Sequence, residues 1–194
     1  RTDEFNKNAR ADAIMVMSLN TKEHTIKLIS IERGIGVPVP GRNDDWITHT
    51  FRYGGAALTM QTVRNCFKLD VERYVRVNFN VVSRAIDKIG GIDIELTQAE
   101  AEHLNNAKKN YYESGSDIQT VHAGTNHLNG DTAMAYARIR KIDSDWKRIE
   151  RQRTVIQAAI NQVKNSDIFT LNALADAILP MVQTNLTKAE ITRL

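Results

Sequence analysis

After Trp146 the chain settles into a helical rhythm, with Val155, Ile156, Ala159, Ile160 and Val163 spaced as one buried stripe. Stepping that stripe back by threes and fours reaches Gln152 and then Arg148, where apolar residues would be expected. An unpaired guanidinium turned inward is very costly. A fold built from this sequence must therefore offer that helix end a polar cavity, and the expectation is a cavity holding an anion. Arg151 falls on the flank of the same helix, and Arg153 looks outward.

Residues 138–153 carry five Arg and two Lys against two Asp and one Glu, a local charge of +4. The whole chain carries only +3, so the basic character is confined to one place. A compact cluster built mainly from Arg suits planar, bidentate recognition of phosphate oxygens. Upstream, Leu128-Asn129-Gly130-Asp131 is a turn and helix-start signal, followed by a short Ala-rich helix over 131–137. An extended 138–140 would then place Arg138 and Arg140 on one face. The competing reading is a solvated helix start, with Glu150 paired to Arg153 or Arg151.

At 194 residues with 42% hydrophobic content, the chain is long enough for one domain with a sizeable core. No apolar run is long enough for a transmembrane helix. Cys66 is the single cysteine, which excludes an internal disulfide, and its neighbours Met60, Val63 and Phe67 place it on a helical apolar stripe. The five His show no zinc spacing. Neither a phosphate-binding Gly-x-x-x-x-Gly-Lys loop nor a Gly-x-Ser-x-Gly elbow is present.

Residues 12–19 and 25–31 read as an antiparallel hairpin, followed by a Pro- and Gly-rich loop over 33–47. Gly54-Gly55 precedes a helix over 56–67 in which Leu58, Val63, Cys66 and Phe67 are the candidate buried positions. A strand over 74–79, a helix capped by Asn80 and running to Ile89, and a strand over 92–96 come next. Residues 98–127 read as a surface helix and a mobile loop, in which Tyr111-Tyr112 suit packing better than sugar stacking. The helix after 148 and a last one over 168–182 complete an α/β (α+β) domain, a central mixed β-sheet flanked by helices.

These pieces, in this order, resemble the LytR–CpsA–Psr family of cell-wall glycopolymer ligases, over almost the whole chain. Arg10-Ala-Asp12 resembles the family's Arg-Ser/Thr-Asp opening, and Leu28-Ile-Ser-Ile-Glu-Arg33 its Leu-Ser-Ile-Pro-Arg-Asp segment. Gly54-Gly55, Tyr74 to Phe79 and Val82 to Ile94 resemble its central unit. Leu128 to Arg140 and Asp145-Trp-Lys-Arg148-Ile-Glu-Arg-Gln152 match its most diagnostic block.

The resemblance implies one catalytic domain over 1–194, held outside the cell by an N-terminal single-pass membrane helix that would precede this chain. It implies a Mg²⁺-dependent phosphotransferase, moving a polyprenyl-pyrophosphate-linked glycopolymer (teichoic acid or capsular polysaccharide) onto a peptidoglycan hydroxyl. Carried over residue by residue, Arg10, Arg33, Arg138, Arg140, Arg148 and Gln152 would contact the pyrophosphate, and Asp12 would be a metal ligand. Arg33, Arg138, Arg140 and Arg148 would act in catalysis together with Asp145, which matches a family acidic residue near the arginines. The family's other metal-binding Asp belongs to a segment that would end at Arg1. Either Asp12 or Asp145 would accept the hydroxyl proton.

The chain departs from the family's pattern at several places. Glu32 stands for Pro and Gly34 for Asp, which bears on how the loop around Arg33 is braced. Lys147 stands for Gly, and Trp46-Ile-Thr-His49 for Lys-Ile-Asn-His. Two rival functions follow: a non-catalytic module binding polyprenyl phosphate or glycopolymer, and a membrane-bound transcriptional attenuator, as some relatives are named. Nucleic-acid binding is disfavoured, because no basic stripe extends beyond residues 138–153.

Overall fold

The computed structural model of this chain describes residues 10–23, 25–110, 117–140 and 142–193. Tyr111-Tyr112 and the segment around Arg1 lie outside them. The chain divides into two compact units, one of residues 1–76 with 183–194 and one of residues 77–182.

In the first unit, β1 (Ile14–Asn20) and β2 (Thr25–Ile31) form the expected antiparallel hairpin, with Ile14 opposite Ile31 and Asn20 opposite Thr25. The expected loop over 33–47 contains a second small pair, β3 (Gly36–Val37) with β4 (Asp45–Trp46). Helix α1 (Ile47–Phe67) starts earlier than residue 56 because it is two helical pieces joined at a kink. Gly54 and Gly55 leave helical geometry there, and Gly55 has φ of 61°, a region in which side chains with Cβ are strained. The kink is bridged by hydroxyls: Thr50 meets Thr59 at 2.9 Å, and Thr59 donates to the Gly55 carbonyl. Ile31, Val37, Val39, Ile47 and Val63 form the core, with Leu58, Cys66 and Phe67 packed against it half-buried. The strand β5 is only Val75–Arg76, shorter than the expected 74–79, and pairs with β8 (Gln183–Thr184); α7 (Lys188–Arg193) follows β8.

The second unit begins with α2 (Phe79–Lys88). Its cap is Asn78 rather than Asn80: the Asn78 side chain accepts from the Val81 N–H at 2.8 Å, satisfying a first-turn donor. Strand β6 (Ile92–Leu96) buries Ile92, Ile94 and Leu96 and exposes Asp93 and Glu95, the alternation of a half-buried strand. Helix α3 (Gln98–Asn110) is less of a surface helix than its polarity suggests, since Glu100, Ala101, Leu104 and Ala107 are buried. The expected mobile loop contains β7 (Gly124–Leu128), which pairs antiparallel with β6. The polar sequence Gly-Thr-Asn-His-Leu hides this strand, because only Asn126 and Leu128 face inward. Helix α4 (Gly130–Ala137) is capped by Asn129, and α5 (Asp145–Lys164) by Ser144. The last expected helix stops at Ile178 as α6 (Ile168–Ile178), with a 3₁₀ turn over Leu179–Met181 before β8.

Gly130 is where α2 and α4 meet. A Cβ there would lie 2.0 Å from the Ser83 carbonyl oxygen, so only glycine permits the approach. Its N–H donates to Asp87 at 2.7 Å. The core of this unit runs from Ile86 and Ile89 through the inner face of β6 to Leu104, Leu128, Ile139 and Val155. The α/β character expected from the sequence is present. In place of one central mixed sheet, the described residues show four two-stranded antiparallel pairs. No helix among the described residues is long and apolar enough to cross a membrane.

Candidate anion site

The second unit brings together the α4–α5 junction. Helix α4 ends at Arg138, its cap residue, and the exposed Arg138 guanidinium lies 5.0 Å over the Phe79 ring at the start of α2. Ile139 turns inward at 1% exposure, so Arg138 and Arg140 both face outward on either side of it. The segment is not extended as the alternation required, because Arg138 keeps helical backbone geometry as the cap of α4 (φ −102°, ψ 0°).

Helix α5 then carries its arginines into the interior. Arg148 is 4% exposed and Arg151 2%, and with Val155 they define the buried line. The expected line ran 148, 152, 155. The observed one runs 148, 151, 155, so Gln152 is half-buried at its edge and Arg151 is not on the flank. Arg153 is exposed, as expected.

The two buried guanidinium groups are treated differently. Arg151 donates from Nε to Glu100 Oε1 at 2.7 Å, from Nη1 to the Ile139 carbonyl at 3.1 Å, and from Nη2 to Asp143. Burial pushes the Glu100 carboxyl up, but the Arg151 donors together with the Thr97 N–H and hydroxyl outweigh it and hold Glu100 below the ordinary carboxylate range. The same Glu100 closes a capping box on α3, its N–H returning to the Thr97 hydroxyl. Arg148 has much less. Its Nη2 donates to Asp145 Oδ2 at 2.7 Å, and Asp145 is itself about half exposed. Its Nε is buried with no partner among the described residues. An orphaned buried donor of a charged group is expensive. Glu150 pairs with Lys147 at 2.8 Å, not with Arg151 or Arg153.

In the first unit, Asp12 and Arg33 form an ion pair at 3.7 Å, and Arg10 is exposed beside Ala11. Thr48, 1% exposed, braces both segments. Its hydroxyl donates to the Ala11 carbonyl, its carbonyl accepts from the Ala11 N–H, and its N–H donates to the Arg33 carbonyl at 3.4 Å. In the sequence Thr48 stands out only as a departure from the family's Asn, and the expected loop over 33–47 with a helix from 56 gives no sign of this bracing role. Asp12 is an exposed carboxylate, and no group of three acidic, His or Cys ligands occurs among the described residues. That donor set fits a hard cation held by one carboxylate, waters and substrate phosphates, the common mode for Mg²⁺. It does not fit a protein cage.

The helices and paired strands are those of an α/β protein, and the arginines at the α4–α5 junction are suited to a phosphate-bearing ligand. The LytR_cpsA_psr family model matches residues 1–194. The chain belongs to this family. It is 34% identical over 181 residues to a polyisoprenyl-teichoic acid–peptidoglycan teichoic acid transferase, TagU, of Halalkalibacterium halodurans, covering 91% of this chain and 55% of that protein. It thus spans about half the length of that relative. Among solved structures, TagT bound to LI-WTA superposes with a TM-score of 0.79 at 29% identity, covering 96% of this chain and 67% of that one. A LytR-CPS2A-psr family protein, YwtF (TagT), with bound octaprenyl pyrophosphate lipid superposes at 0.69 and 28% identity, covering 89% and 69%.

Proposed function

We propose that this chain is the catalytic domain of a phosphotransferase that moves a glycopolymer from a polyprenyl pyrophosphate carrier to a hydroxyl of peptidoglycan. The observation that carries the reading is Arg148: a buried guanidinium with one half-exposed carboxylate partner and an orphaned Nε. A multiply charged phosphate linkage supplies the acceptor that this donor lacks. Arg138 and Arg140 present two further guanidinium groups at the neighbouring helix end, and Gln152 lies one turn along α5 from Arg148. Arg10 and Arg33 are proposed as further pyrophosphate contacts, on the motif match alone. That curated and solved relatives are a teichoic acid transferase and a polyprenyl-pyrophosphate complex supports the same substrate class.

The chemistry asks for charge neutralisation and positioning more than for covalent catalysis. The acceptor hydroxyl oxygen forms a bond to the phosphorus carrying the glycopolymer. The bond between that phosphorus and the bridging oxygen breaks, and polyprenyl phosphate leaves with the electron pair. The hydroxyl proton passes to a carboxylate, Asp145 beside Arg148 or Asp12 beside Arg33. Arg138, Arg140 and Arg148 offset the charge that grows on the phosphoryl oxygens, and Arg33 is assigned the same role on the motif match alone. Mg²⁺, held through Asp12, would screen that charge further when bound. Such a domain would act outside the cell, tethered to the membrane by a helix preceding this chain.

A transfer assay with Mg²⁺ and a lipid-pyrophosphate-linked sugar tests this on wild type and Arg148→Ala. Loss of one such electrostatic contact is expected to lower turnover by roughly 100- to 1,000-fold. Equal turnover removes Arg148 from the mechanism. Tight lipid binding with no turnover in either protein would leave a carrier module instead.

A further inference from the structure

The start of α1 carries a polar–aromatic strip that the transfer reading leaves unused. Trp46, the extended residue that precedes α1, is followed by His49 and Tyr53 on the helix at spacings of three and four. Trp46 and His49 have ring centroids 5.5 Å apart, and His49 meets Tyr53 edge-on at 6.1 Å. A row of rings at this spacing is ordinarily core. Here Trp46 is 53% exposed and Tyr53 38%.

One carboxylate organises the strip. Asp45 accepts from the Trp46 N–H at 2.7 Å and from His49 Nδ1 at 2.9 Å through Oδ1, and from the Tyr53 hydroxyl at 2.6 Å through Oδ2. The Tyr53 hydroxyl, then His49 and the Trp46 N–H, hold Asp45 down at about 2, so it is ionised at any physiological pH. With Nδ1 turned to Asp45, His49 Nε2 is the far end of the ring; it is buried and has no partner among the described residues. Arg42 lies 4.1 Å over the Tyr53 ring and covers one of its faces. The broadly open platform is therefore the Trp46 indole.

We infer that this strip, the Trp46 platform with Asp45, His49, Tyr53 and Arg42, is a binding site for an uncharged pyranose chain, the glycan strand whose hydroxyl accepts the transferred group. The inference rests on the transfer reading for its biological meaning but not for its geometry. A sugar ring offers a C–H face to an indole and hydroxyl donors and acceptors around its edge. The strip offers both: the Trp46 indole as an apolar plate, and in the same strip a carboxylate bonded to the Trp46 backbone N–H and a guanidinium over the Tyr53 ring. An anionic ligand would meet the ionised Asp45, and a hydrocarbon chain would have to desolvate both charges.

Calorimetric titration with a soluble β-linked N-acetylglucosamine tetramer tests the inference on the whole chain. Saturable binding is expected in wild type. It should be weakened roughly tenfold or more in Trp46→Lys, as stacking energies of this kind imply, and partly kept in Trp46→Phe. Far-UV circular dichroism of each variant checks that the fold persists, as the exposure of Trp46 predicts. In a Trp146→Phe background Trp46 is the single tryptophan, and its emission should shift with the same saturation curve. No saturable heat in wild type, equal affinity in Trp46→Lys, or heat without an emission shift would each overturn the inference. Equal heat from phosphatidylcholine vesicles would mark the strip as a lipid contact and overturn it too. Glycan binding that survives alongside failed transfer would sink the transfer reading alone.

Discussion

Arg148 and Arg151 sit one helical turn apart on α5 and are held in opposite ways. Arg151 is saturated by two carboxylates and a carbonyl, so its charge is spent inside the protein. Removing one partner of such a buried pair typically costs about 3–5 kcal/mol, and Arg151→Ala is expected to lower the melting temperature accordingly. Arg148→Ala should melt within about 1 kcal/mol of wild type, because it removes a donor that the folded chain does not satisfy. Thermal unfolding of the two variants side by side checks this, and the reverse order would reassign their roles. The inward turn of Arg148 was legible in the sequence from the spacing of Val155, Ile156 and Ala159. The burial of Arg151 was not. Stepping back from Val155 by three or by four is equally helical, and only Glu100, far away in the chain, selects the step of four.

At the level of elements, the β6–β7 pair is locked to the turn after α2 by one histidine. His127 lies opposite Asp93 in the ladder and contacts it at 2.7 Å through Nδ1, while Nε2 meets the Gly90 carbonyl at 2.6 Å. Both partners are acceptors, so the ring satisfies both only when it carries two protons. The hydrogen bond to Asp93, then that to Gly90, raises the His127 pKa above its ordinary 6.5. A raised folded-state value means that this contribution is complete below pH 6.5 and is lost as pH climbs through the higher value. Melting curves from about pH 6 to pH 8 should show a fall that Asp93→Asn flattens, and an unchanged slope would discard the clamp. The strand that carries His127 escaped the sequence reading because Gly124-Thr-Asn-His-Leu128 has a single apolar residue. Its pairing comes from Ile92–Leu96, whose alternation was plain. The helices fared better: caps such as Asn129 sit where the turn signals placed them, and α2 missed by two residues because Asn78 and Asn80 are both capable caps.

For the whole chain, charge and its placement separate the ligase reading from the regulatory one. The formal charge is +3, and residues outside 138–153 are slightly acidic. With Arg151 neutralised internally, too few cations remain for the counterion release that drives DNA affinity. Duplex DNA is expected to bind no more tightly than about 10⁻⁴ M at physiological salt in a gel-shift titration. Submicromolar retention would restore the regulator. The family was readable because ordered short motifs survive where single ones would not. The division into two units was not, since no linker-like composition marks residue 76 or 182. The Glu100–Arg151 bond has a further consequence for how the domain matures. It joins residues 51 positions apart, and Arg138 and Arg140 lie inside the loop it closes. Closing so long a loop costs chain entropy before it yields any contact. The two arginines inside that loop are thus brought to their places late in folding, only once α5 has docked against α3.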